Sequence, residues 1–258
     1  MPSFLSREKA RQAFEDYVGE YDCKDAKVKL KILHTYRVAD LCDKYARELG
    51  WSEEEVDLVW LIGLLHDIGR FEQIKNYGTF RDDLSEDHAA LGVKELKKNN
   101  LLHCFIDCED HDDLILEAIG YHNVYELPPS ASKYARLLRD ADKTDIFHVR
   151  LSEQVGDYLG LQSGDVEDCR VSEAVMEDFR NHSCILSSKR ATPLDLCVSP
   201  LAFVFGIYEK PALRYIEEHD YIHRLASQID SKDDLAKAQV KWIEEEVSGY
   251  LHRALYGE

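Results

Sequence analysis

An all-α protein is what the sequence predicts, on three observations. Apolar residues recur at intervals of three and four through most of the 258 residues, only six prolines interrupt them, and no pair of alternating apolar runs is joined by a tight turn. The same pattern sets the expected helices at 6–18, 26–49, 53–69, 86–98, 112–122, 131–147, 149–160, 172–181, 196–206, 209–218, 221–229 and 232–255. No internal repeat or low-complexity stretch interrupts them.

Taken in order, four of these helices carry a polar residue where an apolar one belongs. In 26–49, His34 shares a stripe with Val38, Leu41 and Tyr45, at intervals of four, three and four, which turns its imidazole inward. The helix 53–69 opens with a capping box, Ser52 followed by Glu55, and runs through LVWLIGLL, Leu58 to Leu65, without a charge. It then meets HDIGRF, His66 to Phe71, where Asp67 continues the stripe Val56, Val59, Trp60, Gly63 and Leu64. A carboxylate on that face is unfavourable without a compensating partner. Either a helix end surfaces there, or the helix delivers a histidine and a carboxylate to a metal. The stretch NYGTFRDD reads as a loop, and Ser85 with Asp87 suits the start of the next helix. In 112–122, His122 extends the stripe Ile115, Ala118, Ile119, and the loop NVYELPPS follows. In 131–147, Asp142 follows Ala135 and Leu138 at spacings of seven and four.

Composition limits what such a chain does. With 45% hydrophobic residues it can bury a substantial core, as one large domain or two small ones. A formal charge of −18 repels phosphate backbones and anionic lipid, so broad nucleic-acid binding and membrane binding are not expected. A small anionic substrate then requires a cation or local arginines that reverse the sign inside a pocket. No opening run combines a basic stretch with an apolar core, and no apolar segment reaches about 18 residues, so neither a signal peptide nor a membrane span is expected. Seven scattered cysteines, an odd number, suit reduced thiols, and a cytoplasmic location is expected. Cys104 and Cys108, beside His103 and His111, invite a zinc reading, but their loose spacing favours cysteines acting as small core hydrophobes.

A single inward histidine is more often a hydrogen-bonded core residue, and a single aspartate a cap or ion-pair partner. Several converging in one core would need many separate partners, whereas one or two divalent cations satisfy them together. Imidazole nitrogen with carboxylate oxygen suits Mn, Fe, Ni or Zn, with Mg also admissible, and leaves positions open to water or substrate.

The order His34, His66-Asp67, Asp142, in the contexts HTYRVADL, LLHDIGRF and LLRDADKTD, resembles the HD-domain superfamily of metal-dependent phosphohydrolases. The resemblance is strong over roughly residues 30–150 and implies an all-helical bundle. It implies that His34, His66, Asp67 and Asp142 bind one divalent metal. It further places His88, in SEDHAALG, and His122, in ILEAIGYHN, where dinuclear members carry two more histidines. Asp67 then bridges two ions, the second held by His88 and His122. Asp140 and Asp145 flank Asp142 and are taken as neighbours that support or surround the site. The stretches NYGTFRDDLSEDHAALG, KRATPLDLCVSPLAFVFGI and EEHDYIHRL also resemble a bacterial subgroup with a helical C-terminal extension. The expected organisation is therefore a metal-binding domain over 1–150 and an extension over 151–258, packed on it or continuous with it.

Such a site implies hydrolysis of a phosphate ester by an activated water, with no nucleophilic side chain. The substrate class is a nucleotide or another small phosphorylated molecule. Cationic side chains are needed for its oxygens, and the nearest in sequence are Arg70, one turn past His66-Asp67, and Arg81 in the following loop. Arg70 at a helix C-terminus equally suits a charge on exposed carbonyls. Lys143, Lys189 and Arg190 are weaker candidates. Tyr36, Tyr45 and Tyr77 read as core rather than base-stacking residues, and His219 with His223 lacks a third ligand nearby. Two alternatives stand beside the hydrolase: a mixed-valent di-iron oxygenase of the same fold, and a regulatory module with a structural metal.

Overall fold

The computed structural model describes residues 5–152 and 164–257. No strand occurs among them, and the chain folds as two units, Met1–Asp142 and Lys143–Glu258.

In the first unit, Ser6 starts α1 (Arg7–Val18) and Asp25 starts α2 (Ala26–Glu48), each side chain accepting an amide of the first turn. The capping box at α3 (Glu53–Leu65) is present: Ser52 takes the Glu55 amide, and Glu55 takes the Ser52 amide at 2.9 Å. From Leu58 onward every residue of α3 is buried, as its uncharged run requires. It packs against α1, α2 and a later helix, α6 (Asp112–Tyr121). Gly63 permits the approach to α2, because a Cβ there would lie 2.8 Å from the Ala39 Cα. Trp60, Leu64, Val38 and Tyr45 are fully buried, each large apolar side chain contributing about 1.5–3 kcal/mol.

Contrary to the expected 53–69, α3 stops at Leu65, and α4 (Ile68–Tyr77) starts afresh after Asp67, whose φ is −102° and ψ 16°. The loop expected to begin at Asn76 starts instead at Gly78, which ends α4 with a φ of 66°. Successive residues on one unbroken helix diverge by about 100°. A one-residue break re-aims Asp67 while leaving the apolar rhythm intact, so periodicity alone does not reveal it.

Asp87 caps α5 (His88–Lys97), accepting the Ala90 amide at 2.8 Å. Gly69 of α4 meets α5 backbone to backbone: a Cβ would fall 2.3 Å from the His88 carbonyl oxygen and 2.5 Å from the Gly92 nitrogen. α7 (Lys133–Ser152) runs past the expected 131–147 and takes in residues 149–152. The remainder of the helix expected at 149–160 lies outside the described residues.

The second unit contains α8 (Glu173–Arg180), α9 (Pro193–Val198), α10 (Lys210–Glu218), α11 (Tyr221–Ala226) and α12 (Asp234–Tyr256). The expected helix 196–206 is instead α9, started early by a Thr192–Asp195 capping box, followed by a 3₁₀ segment at Ser199–Gly206. Pro200 lacks the N–H that would continue the α-helical ladder. Asp220, at a φ of 51°, separates α10 from α11. α12 turns Val240, Ile243, Val247 and Leu251 inward and packs against α10 and α11. No helix among the described residues is long and apolar enough to cross a membrane.

Candidate metal centre

Five elements of the first unit bring the six predicted ligands together. His34 comes from the middle of α2, His66 and Asp67 from the break between α3 and α4, and His88 from the first residue of α5. His122 follows the last residue of α6, and Asp142 comes from α7. Five of the six are buried, while the Asp142 side chain keeps 16% of its surface exposed.

Asp67 sits between two sets of histidines. Its Oδ2 lies 3.4 Å from His34 Nε2 and 3.5 Å from His66 Nε2. Its Oδ1 lies 3.7 Å from both His88 Nε2 and His122 Nε2. Asp142 Oδ1 joins the first set, 3.1 Å from His34 Nε2 and 3.8 Å from His66 Nε2. Among the described residues, the groups of three or more donors close enough to share an ion are His34–His66–Asp67 and Asp67–His88–His122.

The outer faces of the rings explain why the Nε2 atoms point inward. His66 donates Nδ1–H to the Gly63 carbonyl at 2.7 Å, His122 donates to the Ile119 carbonyl at 2.6 Å, and His88 donates to Asp82 Oδ2 at 2.7 Å. Each ring therefore presents an Nε2 lone pair to the centre. The His88 and His122 Nε2 atoms stand 3.0 Å apart, and those of His34 and His66 3.3 Å apart. The facing Nε2 lone pairs of His88 and His122 repel unless a cation lies among them. Metal–nitrogen bonds of about 2.1 Å place neighbouring donors about 3.0–3.4 Å apart, so the donor set fits divalent ions.

Burial and neighbouring charge act on four of these groups, His66, His88, Asp67 and Asp142. Burial pushes the His66 imidazole below its ordinary value, against the pull of Asp67. Burial likewise lowers His88, to about 4, despite its bond to Asp82. For Asp67, burial works upward but is outweighed, foremost by the Lys31 ammonium, and the carboxyl is held well below the usual range. Asp142 follows the same balance, with the His34 hydrogen bond foremost against burial. Neutral imidazoles beside ionised carboxylates are what metal ligation requires.

The two arginines singled out from the sequence part ways. Arg70 is at the centre, its Nε 3.7 Å from Asp67 Oδ1 and its Nη1 2.9 Å from Asp82 Oδ1. Arg81 points away: its side chain is 66% exposed and forks onto Asp83 at 2.6 and 3.1 Å. A loop arginine beside its own acidic neighbour finds a partner without reaching inward. The residue that sequence reasoning missed is Lys31, whose Nζ is 2.6 Å from Asp67 Oδ2 with 13% of its side chain exposed. It stands three residues before His34, on the same helix face, and extending the His34 stripe one turn back would have found it. Asp82, which holds both Arg70 and His88, was missed as well, because a loop has no period to read.

The other candidates fall elsewhere. Asp140 and Asp145 are buried, Cys104 is exposed, and His103 donates from Nε2 to Asp112 at 3.0 Å. His223 bonds Glu244 at 2.7 Å, whereas His219 stacks on Tyr215 at 3.9 Å.

The HD domain family matches residues 32–146. A stretch of 46 residues is 44% identical to the 3'3'-cGAMP-specific phosphodiesterase 1 of Vibrio cholerae serotype O1, covering 18% of this chain and 11% of that protein. No solved structure matches the chain significantly.

Proposed function

We propose, from the premise that residues 32–146 are an HD domain, that the chain is a metal-dependent phosphohydrolase acting on a nucleotide or other small phosphate ester. The observation that carries this reading is the division of Asp67, one oxygen toward His34 and His66 and the other toward His88 and His122. Bound divalent ions of the Mn, Fe, Ni, Zn or Mg class supply a water acidic enough to ionise near neutral pH, and they offset charge on the phosphoryl group.

The chain's own residues do the rest. His34, His66, Asp67 and Asp142 hold one ion, and Asp67, His88 and His122 hold the other. Arg70 and Lys31, both largely buried beside Asp67, grip the phosphate oxygens as the ester approaches. Phe80 lies under both cations, 5.4 Å from Lys31 Nζ and 5.6 Å from Arg70 Cζ. Arg81 has no part in this. The partly exposed Asp142 marks the side from which solvent reaches the ligands. With a net charge of −18 over the whole chain, the partner is a small anion rather than a nucleic-acid duplex or a membrane. Seven free cysteines suit a reducing, cytoplasmic setting.

Elemental analysis of protein purified without chelator, followed by turnover of nucleoside monophosphates, bis(p-nitrophenyl) phosphate and a cyclic dinucleotide, tests the proposal. Two ions per chain with phosphate-ester cleavage is the expected result. Iron together with oxygen-dependent turnover and no ester cleavage would replace it by the oxygenase, and absence of bound metal after reconstitution would replace it by the regulatory module.

A further inference from the structure

One of the inward histidines is oriented differently from its neighbours. His66 and His122 donate Nδ1–H to main-chain carbonyls, whereas His88 donates to the side chain of Asp82, at 2.7 Å from Oδ2. The other oxygen of that carboxylate takes Arg70 Nη1 at 2.9 Å and Gln73 Nε2 at 2.8 Å. Arg70 Nε and His88 Nε2 each lie 3.7 Å from the same Asp67 oxygen, Oδ1. Asp67, His88, Asp82 and Arg70 therefore close a ring.

Gln73 makes the ring stiff. It is completely buried, and a buried amide is tolerated only when its polar atoms are partnered. Its Oε1 accepts from Arg70 at 2.7 Å, and its Nε2 donates to Asp82 Oδ1, to Ser85 Oγ at 2.8 Å and to the Glu86 carbonyl at 3.0 Å. Arg70 also donates to the Phe80 carbonyl at 2.7 Å, which ties the same loop to α4. Asp82 sits on a surface turn with a third of its side chain exposed, yet both oxygens are pinned in one orientation.

We infer that Asp82 is a positioning residue that couples the metal-facing His88 to the phosphate-facing Arg70; this rests on the dinuclear phosphohydrolase reading above. Its Oδ2 fixes the His88 tautomer with Nε2 inward and strengthens that nitrogen as a donor to an ion. Its Oδ1 holds the guanidinium against the carboxylate that both ions share. Asp82→Asn leaves one acceptor oxygen for three donors, because the new NH₂ must face either His88 Nδ1–H or the Arg70 and Gln73 side. Gln73→Met keeps the carboxylate but frees its orientation.

The full chain, stripped with chelator, is titrated with Mn²⁺ by calorimetry as wild type, Asp82→Asn and Gln73→Met, and inorganic phosphate is titrated at saturating Mn²⁺. Wild type should take two ions. Asp82→Asn should weaken one of them by about 10- to 100-fold while leaving the other within about twofold, and should weaken phosphate as well; Gln73→Met should weaken the same ion less. Unchanged affinities, or equal weakening of both ions, overturn the coupling and leave the dinuclear reading standing. A single ion in wild type overturns that reading and the coupling with it.

Discussion

The ammonium of Lys31 stands 2.6 Å from Oδ2 of Asp67, the oxygen that also faces His34 and His66. A buried carboxylate that loses its cation is costly, about 3–5 kcal/mol when one partner of a buried pair is removed. Lys31→Met should therefore destabilise chelator-treated protein by about 3 kcal/mol. Divalent ions supply an alternative countercharge to the same oxygen, so saturating Mn²⁺ should restore most of that loss. Denaturant melts with chelator and with Mn²⁺ check this, and an equal loss in both conditions would show that Lys31 does not share Asp67 with the ions.

Asp67→Ala should bring phosphate-ester turnover to background while the far-ultraviolet circular dichroism stays helical. The side chain sits between two sets of donors but carries no helix cap, so its removal disables the centre and spares the scaffold. Retained turnover in this variant would refute the hydrolytic mechanism.

His122→Ala should release one ion and leave the other. His122 approaches Oδ1 of Asp67, whereas His34 and His66 approach Oδ2. Metal content per chain, measured before and after the substitution, is expected to fall from two to one. Unchanged content would mean that His122 serves another role.

Four of the six ligand candidates were legible without any comparison, because His34, Asp67, His122 and Asp142 each interrupt an apolar stripe. His88 opens its helix and belongs to no stripe, so only the resemblance pointed to it. Arg81 misled because nearness in sequence does not set direction, whereas Asp82 beside it turns inward. The division of the long helix at Asp67 was illegible for the reason that makes it effective: it alters one backbone position and no apolar spacing.

Gly69→Ala should be far more damaging than an ordinary helix glycine substitution, which gains from helix propensity. The new methyl would collide with main chain, 2.3 Å from the His88 carbonyl oxygen, and no side chain rotation relieves that contact. A loss of about 1–3 kcal/mol or more is expected, with weaker binding of the ion at His88. Normal stability by calorimetric melting would show that α4 and α5 part easily.

A surface pair supplies a pH test. Lys133 bonds the Glu55 carboxylate, which also holds the Ser52 amide and hydroxyl, and together these lower Glu55 from its ordinary 4.5 to about 2. A depressed acid contributes stability that is full above the unfolded value and is lost as pH falls through the folded one. The contribution should be complete above about pH 4.5 and gone below about pH 2. Carboxyl NMR should show this low midpoint, and Lys133→Met should raise it; a midpoint unmoved by that substitution would remove Lys133 from the explanation.

The backbone contact of Gly69 with α5 also sets how near two of the candidate ligands stand. Asp67 lies at the head of α4 and His88 at the head of α5, and the side chain missing at Gly69 lets the two main chains, with the residues at their heads, come close. A glycine with no chemistry of its own thus acts as a spacer of zero width between two residues that have it.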